Sequence, residues 1–213
     1  MKNTLIALTA CTLALTTRAA LIANYTLDNS NASVDTEPDS TANAFATSGF
    51  SLSYATVGGQ TGTRTSANQI STGDYYAFSV TANVGYLLML NGATLSLQDR
   101  TDTANTFSFS IRSSVDGYAS DLASFTPAVN TWTTRTLTLS GAGYDNLNSI
   151  TFRILLDDGG ANANSRNLYF DNVSLDGLTA VPEPATVAFL IFGGLFTAVQ
   201  LRRRWRQGSR PLG

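Results

Sequence analysis

Between residues 106 and 113 the chain alternates with a period of two. Phe107, Phe109 and Ile111 fall on one side, and Ser108, Ser110 and Arg112 on the other. Successive side chains of a strand point to opposite faces, whereas a helix repeats every 3.6 residues, so this pattern gathers its apolar groups on one face only as a strand. Similar short apolar runs recur at 21–27, 45–54, 75–80, 131–139, 149–156 and 167–175, the last three set off by Gly, Asn or Asp. Residues 85–98 read as a strand pair or one bent strand around Asn91-Gly92, a hairpin dipeptide. Gly58, Gly59 and Gly62 read as a turn, and the polar stretch 28–41, with Pro38, as a loop. Nothing in the body carries a helical period. About ten short strands at this spacing predict an all-β chain, an antiparallel β-sandwich. The first and last runs can pair with each other, which puts a jelly roll ahead of an immunoglobulin-like sandwich.

What the chain lacks removes most enzyme chemistry. It has no His, and its one Cys is Cys11, close to the N-terminus. Ser-His-Asp triads, Cys-His pairs and His-ligated metals are therefore excluded, and so is a disulfide. Residues 21–180 hold six Arg, no Lys, thirteen Asp and one Glu, a net charge of −8 that the Arg-rich C-terminus masks in the whole-chain value of −2. A body this acidic is not a nucleic-acid binder. Paired carboxylates, as in glycoside hydrolysis, are the remaining catalytic option, and no pair stands out.

The two ends are of another kind. Val181-Pro182-Glu183-Pro184 precedes an uncharged apolar run at 185–201, and Arg202, Arg203, Arg204 and Arg206 follow it. As a helix, that run rises about 25 Å, at the short end of a membrane span. The Arg cluster stops transfer and stays cytoplasmic, which puts everything before Val181 outside. Proline at 182 and 184 enforces an extended approach to the bilayer. At the N-terminus, Lys2, an apolar stretch at 5–15 and Thr17-Arg18-Ala19 make a secretory signal peptide cut after Ala19. Leu8-Thr9-Ala10-Cys11 is the competing reading, a lipoprotein box. The expected organisation is thus a signal helix at 1–19, a β-sandwich at 20–178, a sorting motif and linker at 179–184, a transmembrane helix at 185–201 and a basic tail at 202–213.

On the order of its three parts, the tail resembles a PEP-CTERM sorting signal. The resemblance implies export in a Gram-negative bacterium and recognition of Pro182, Glu183 and Pro184 by an exosortase. That partner is a membrane-embedded, transpeptidase-like protease. It would release an inner-membrane precursor to the cell surface or to an exopolysaccharide matrix. An ordinary anchor that is never cut is the alternative.

In the body, Leu168-Tyr169-Phe170-Asp171-Asn172-Val173-Ser174-Leu175 resembles the closing strand of jelly-roll carbohydrate-binding modules. The resemblance implies a structural Ca²⁺ held in part by Asp171, with Asp28 or the Asp35, Glu37 and Asp39 loop as partner. Read by themselves, Asp35, Glu37 and Asp39 are better taken as solvated loop charge. The turns at Asp157-Asp158-Gly159-Gly160 and Asp99-Arg100-Thr101-Asp102 are also read as structural. Flat rings stack on sugars, so Tyr118, Trp132 and Tyr144 are candidate glycan contacts, with Tyr75, Tyr76 and Tyr86 behind them. Tyr118 and Tyr144 sit in turns, where exposure is expected, and Trp132 is favoured as a core residue. The leading functional reading is a non-catalytic surface or matrix protein. A calcium-stabilised carbohydrate-binding module comes second, and a glycoside hydrolase or lyase third.

Overall fold

The computed structural model describes residues 19–66, 69–71, 73–102, 107–157 and 167–181. The signal peptide, Pro182–Pro184, the apolar span and the Arg cluster lie outside the described residues. Thirteen strands follow one another: β1 (Ala20–Tyr25), β2 (Ser40–Ala42), β3 (Ala46–Ser48), β4 (Tyr54–Val57), β5 (Gln60–Ser66), β6 (Tyr75–Ala82) and β7 (Leu87–Met89). Then come β8 (Thr94–Thr101), β9 (Ser108–Ser113), β10 (Ala123–Phe125), β11 (Thr133–Thr138), β12 (Ser149–Asp157) and β13 (Asn167–Ala180).

They form two antiparallel sheets packed as a sandwich. One has seven strands in the order β11-β8-β13-β5-β4, with β1 and β7 also on β13. The other has six, in the order β10-β9-β12-β6-β2, with β3 also on β6. From β10 onward the chain changes sheet at every step, and β1 pairs with β13, which closes the first run onto the last as expected. The fourteen-residue β13 organises its sheet. β5 and then β1 run along one edge, while β8 lies along the other and β7 meets its last three residues.

Period-two alternation explains the core. Leu95 and Leu97 of β8, Phe109 and Ile111 of β9, and Phe152 and Ile154 of β12 are all buried. Phe109 meets Phe170 of the opposite sheet edge to face at 4.9 Å, and Tyr76 meets the same ring at 5.4 Å. Each such ring pair adds about 1 kcal/mol to the burial of its area.

Several expectations are corrected. Of the two readings of 85–98, the bent strand holds and the hairpin does not, because β7 and β8 both pair with β13 rather than with each other. Gly92, at φ +87°, makes the kink. Residues 45–54 split into β3 and the start of β4, with Gly49 at φ +94° in the break. Gly62 lies inside β5, where its missing Cβ lets Trp132 and the Phe170 carbonyl come close. Residues 99–101 belong to the end of β8 rather than to a turn, and Asp99 points into the sandwich. The inward alternation of Leu95 and Leu97 continues through that carboxylate because an arginine meets it there. Finally, β13 runs to Ala180, two residues past the boundary expected at 178.

Candidate functional site

The outer face of the six-stranded sheet presents the chemistry of interest. Strand register fixes who neighbours whom. Leu155 of β12 lies opposite Tyr75 of β6 and Ser110 of β9, and Ser110 lies opposite Ser124 of β10. One row along, Arg153 lies between Ala77 and Arg112. All of these alternate with buried core residues, so all point outward.

They form a groove of about 440 Å³ whose lining includes Ser108, Ser110, Ser124, Arg112, Asp121 and Leu155. That volume lies within the range of small-ligand clefts. Asp157 and the loop carrying Ile70 and Ser71 complete its walls. Arg112 Nε donates to Asp121 Oδ1 at 2.5 Å, and its Nη1 donates to the Tyr118 carbonyl at 3.2 Å. The guanidinium beside Asp121 holds that carboxyl below the usual aspartate range.

Tyr118 is delivered by a tight turn after a short 3-10 segment at Ser114–Asp116. Gly117 has φ +69° and Tyr118 has φ +65°, a left-handed conformation that is strained for a large side chain. The turn is held by Tyr118 N donating to the Ser113 carbonyl, and by Ala119 N and Ser120 N donating to the Asp116 carboxylate. Burial acts to raise the Asp116 pKa, but hydrogen bonds from Ser120, Ala119 and Tyr118 outweigh it, and the carboxyl is held down. The outcome is a half-exposed ring placed 3.7 Å from the Arg153 guanidinium carbon, which also lies 4.4 Å from the Tyr75 ring centre.

The other aromatic candidates are placed differently. Tyr144 is buried, and its hydroxyl meets Ser113 Oγ at 3.1 Å. The turn that was expected to expose it folds inward, because Leu90 N bonds its carbonyl and draws it under the β7–β8 bend. Trp132 is partly buried on the outside of the seven-stranded sheet. Its Nε1 donates to the Val57 carbonyl at 3.1 Å, and its ring lies over Gly62, so it pins the β4–β5 hairpin. Tyr76 is a core residue.

The acidic candidates do not converge. Asp35 bonds Ser33, Glu37 accepts from Thr179 Oγ1 at 3.3 Å, and Asp39 accepts from Tyr86. Thr179 lies eight residues along β13 from Asp171, roughly 25 Å at the rise of a strand, so Glu37 and Asp171 do not share an ion. Among the described residues no three His, Cys, Asp or Glu side chains come together so as to hold a metal ion. Asp171 has a different company. It sits at a bulge with Asn172 at φ +47° and accepts from Gln60 Nε2, from Asn172 N at 2.8 Å and from Asn172 Nδ2 at 3.2 Å. Gln98 Oε1 accepts from the same two side-chain amides. Burial, and after it the charge of Asp28, raises the Asp171 pKa against these hydrogen bonds. Three side-chain amides and one carboxylate thus gather at this bulge. Their oxygens suit a hard cation, provided Gln60 and Asn172 turn their amides about to present oxygen instead of N–H.

The groove itself escaped sequence reading. Ser108, Ser110 and Arg112 were legible as one face of β9, but which strands flank that face is decided only by pairing.

No protein-family model matches the chain, and no curated protein sequence matches it. Among solved structures, the chain is similar to carbohydrate-binding module CBM36 in complex with calcium and xylotriose. That likeness has 16% identity, 62% of this chain, 92% of that one and a TM-score of 0.42. It is also similar to the CBM22-1–GH10 modules of Clostridium thermocellum xylanase 10B complexed with xylohexaose, at 14% identity and a TM-score of 0.44. That match covers 75% of this chain and 29% of the other. A carbohydrate-binding module of Cellvibrio mixtus lichenase 5A, in complex with cellotriose, gives 18% identity over 72% of this chain and 97% of that one, with a TM-score of 0.38.

Proposed function

We propose that this protein is a non-catalytic glycan-binding β-sandwich, exported by its N-terminal signal and held outside the inner membrane by its C-terminal tail until sorting. One observation carries the binding reading. A groove lined by three serine hydroxyls, an Arg-Asp pair and an apolar leucine runs beside two outward tyrosines on a single sheet face. Hydroxyls and a charge pair bond sugar hydroxyls, and rings with Leu155 cover the apolar faces of pyranoses. A hydrolase would need a carboxyl with a raised pKa facing a second one. In this groove Asp121 is held down by Arg112, the opposite of a proton donor.

The test is affinity electrophoresis of the full-length protein and its Tyr118→Ala variant through gels containing a panel of polysaccharides. Retardation of the parent by at least one, weakened in the variant, supports the reading. No retardation by any of them removes it. The export reading rests on the Pro-Glu-Pro tail. Its test is intact mass and cell fraction with and without a sorting protease: enzyme-dependent loss of the segment after Pro184 supports it, and a full-length tail under both conditions reduces it to an anchor.

A second reading concerns calcium. The bulge at Asp171, ringed by the side-chain amides of Gln60, Gln98 and Asn172, supports a reading in which Asp171 is a ligand of a structural Ca²⁺ once those amides turn to present oxygen.

A further inference from the structure

We infer that Arg153 recognises a carboxylate on the bound glycan, so that the ligand is a chain bearing uronic acid residues rather than a neutral polysaccharide. This rests on the glycan-binding reading and names the substrate class of that same face.

Arg153 and Arg112 are direct cross-strand partners on one face. Like charges in that position repel, so the pair is unfavourable unless each is compensated. Arg112 is compensated by Asp121. Arg153 has neither an ion pair nor a hydrogen bond among the described residues. It is held instead against the rings of Tyr118 and Tyr75. A ring attracts a cation through its π cloud and accepts little from the N–H donors, so the guanidinium fork stays available. A planar fork matches a carboxylate with two parallel hydrogen bonds. The strained backbone at Tyr118 strengthens the argument. A bulky residue kept at φ +65° is a cost the turn could avoid with glycine, and what the ring gains there is contact with Arg153.

The same observations set the charge density of the ligand. With a net charge of −8 over residues 21–180, the body does not draw in a polyanion from a distance. Tight binding of a heavily charged chain needs many cationic contacts, and among the described residues this face offers one guanidinium without an ion pair, that of Arg153. A neutral sugar backbone carrying spaced carboxylates fits both facts, with the groove holding the sugar and Arg153 the acid group.

The experiment compares the full-length protein on glucuronoxylan, xanthan and hyaluronan, in which carboxylates are spaced by neutral sugars, each beside its carboxyl-reduced neutral form. The parent should bind at least one acidic form ten or more times tighter than its reduced counterpart. Arg153→Gln should lose that discrimination while keeping its hold on the reduced form, and Arg153→Lys should keep part of it. Equal binding of acidic and reduced forms by the parent overturns the carboxylate inference and leaves the glycan reading standing. Binding to none of the six polymers overturns both. The comparison on the parent alone decides the matter even if Arg153→Gln does not fold.

Discussion

Arg135 of β11 reaches into the sandwich and holds Asp99 of β8, with Nε 2.7 Å from Oδ1 and Nη2 3.3 Å from Oδ2. Asp99 is fully buried, and the same arginine donates to the Thr126 carbonyl at 2.8 Å and lies 5.4 Å from the Phe125 ring. One side chain thus ties the edge of the seven-stranded sheet to the edge of the six-stranded one. Removing it strands a carboxylate in the core. Arg135→Ala should lower stability by about 3 kcal/mol, whereas replacing both partners, as in Asp99→Leu with Arg135→Met, should come close to neutral. Urea unfolding of the single and double variants checks this, and a double variant as unstable as the single one would contradict it.

Stability should peak on the acid side of neutrality. Burial raises the pKa of Asp99 despite Arg135, and that of Asp171 despite its hydrogen bonds. A carboxyl raised in the folded state contributes stability below its unfolded pKa and loses it as pH rises through the folded one. Asp121 is lowered by Arg112, so its contribution is present above its unfolded pKa and is lost as pH falls through the lowered value. The melting temperature should therefore climb as pH drops from 7 toward the ordinary aspartate value of about 3.8, then fall below it. Calorimetry across that range reads the curve, and Asp99→Asn should flatten the climb. A steady fall from pH 7 downward would refute the assignment.

Tyr118 and Trp132 should separate binding from folding. Tyr118→Gly relieves the left-handed strain at φ +65° while giving up the ring contact with Arg153. Its stability should stay within about 1 kcal/mol of the parent. Its affinity for a retained glycan should fall about tenfold, roughly 1.4 kcal/mol. Trp132→Ala loses the hydrogen bond to Val57 and the packing over Gly62. It should cost about 2 kcal/mol of stability and leave affinity unchanged. Thermal melts and affinity electrophoresis on the same preparations show both effects.

Calcium should act through Asp171. Adding Ca²⁺ at a hundred times its dissociation constant stabilises a protein that binds it only when folded by about 2.7 kcal/mol. The melting temperature of the parent should rise with CaCl₂ and return with chelator. Asp171→Asn should abolish the response, while Glu37→Gln should keep it. A melt indifferent to calcium removes the metal from this bulge.

The strands of the body were legible wherever one face is buried. Phe107, Phe109 and Ile111, or Ile150, Phe152 and Ile154, announce themselves because water rejects one side of each run. The short β2 and β10 were not legible, and β3 was read only as part of a longer run. Three residues carry too little pattern, and pairing with β6 and β9 makes them strands. β5 hid for another reason: its inward side chains are Thr63 and Thr65, polar residues that do not mark a buried face, and Gly62 reads as part of a turn with Gly58 and Gly59.

What the sequence by itself determined, then, is the β class and the acidic body without thiol or imidazole chemistry; that the first run pairs with the last was one possibility, and the structure decided it. These follow from composition and from a period of two, which are local properties. Only the tertiary structure decided that Tyr144 is buried, that Trp132 pins a hairpin, and that Arg153 stands beside Arg112 and against Tyr118 and Tyr75. Those relations join residues distant in the chain through strand register, and register is set by the whole sheet at once.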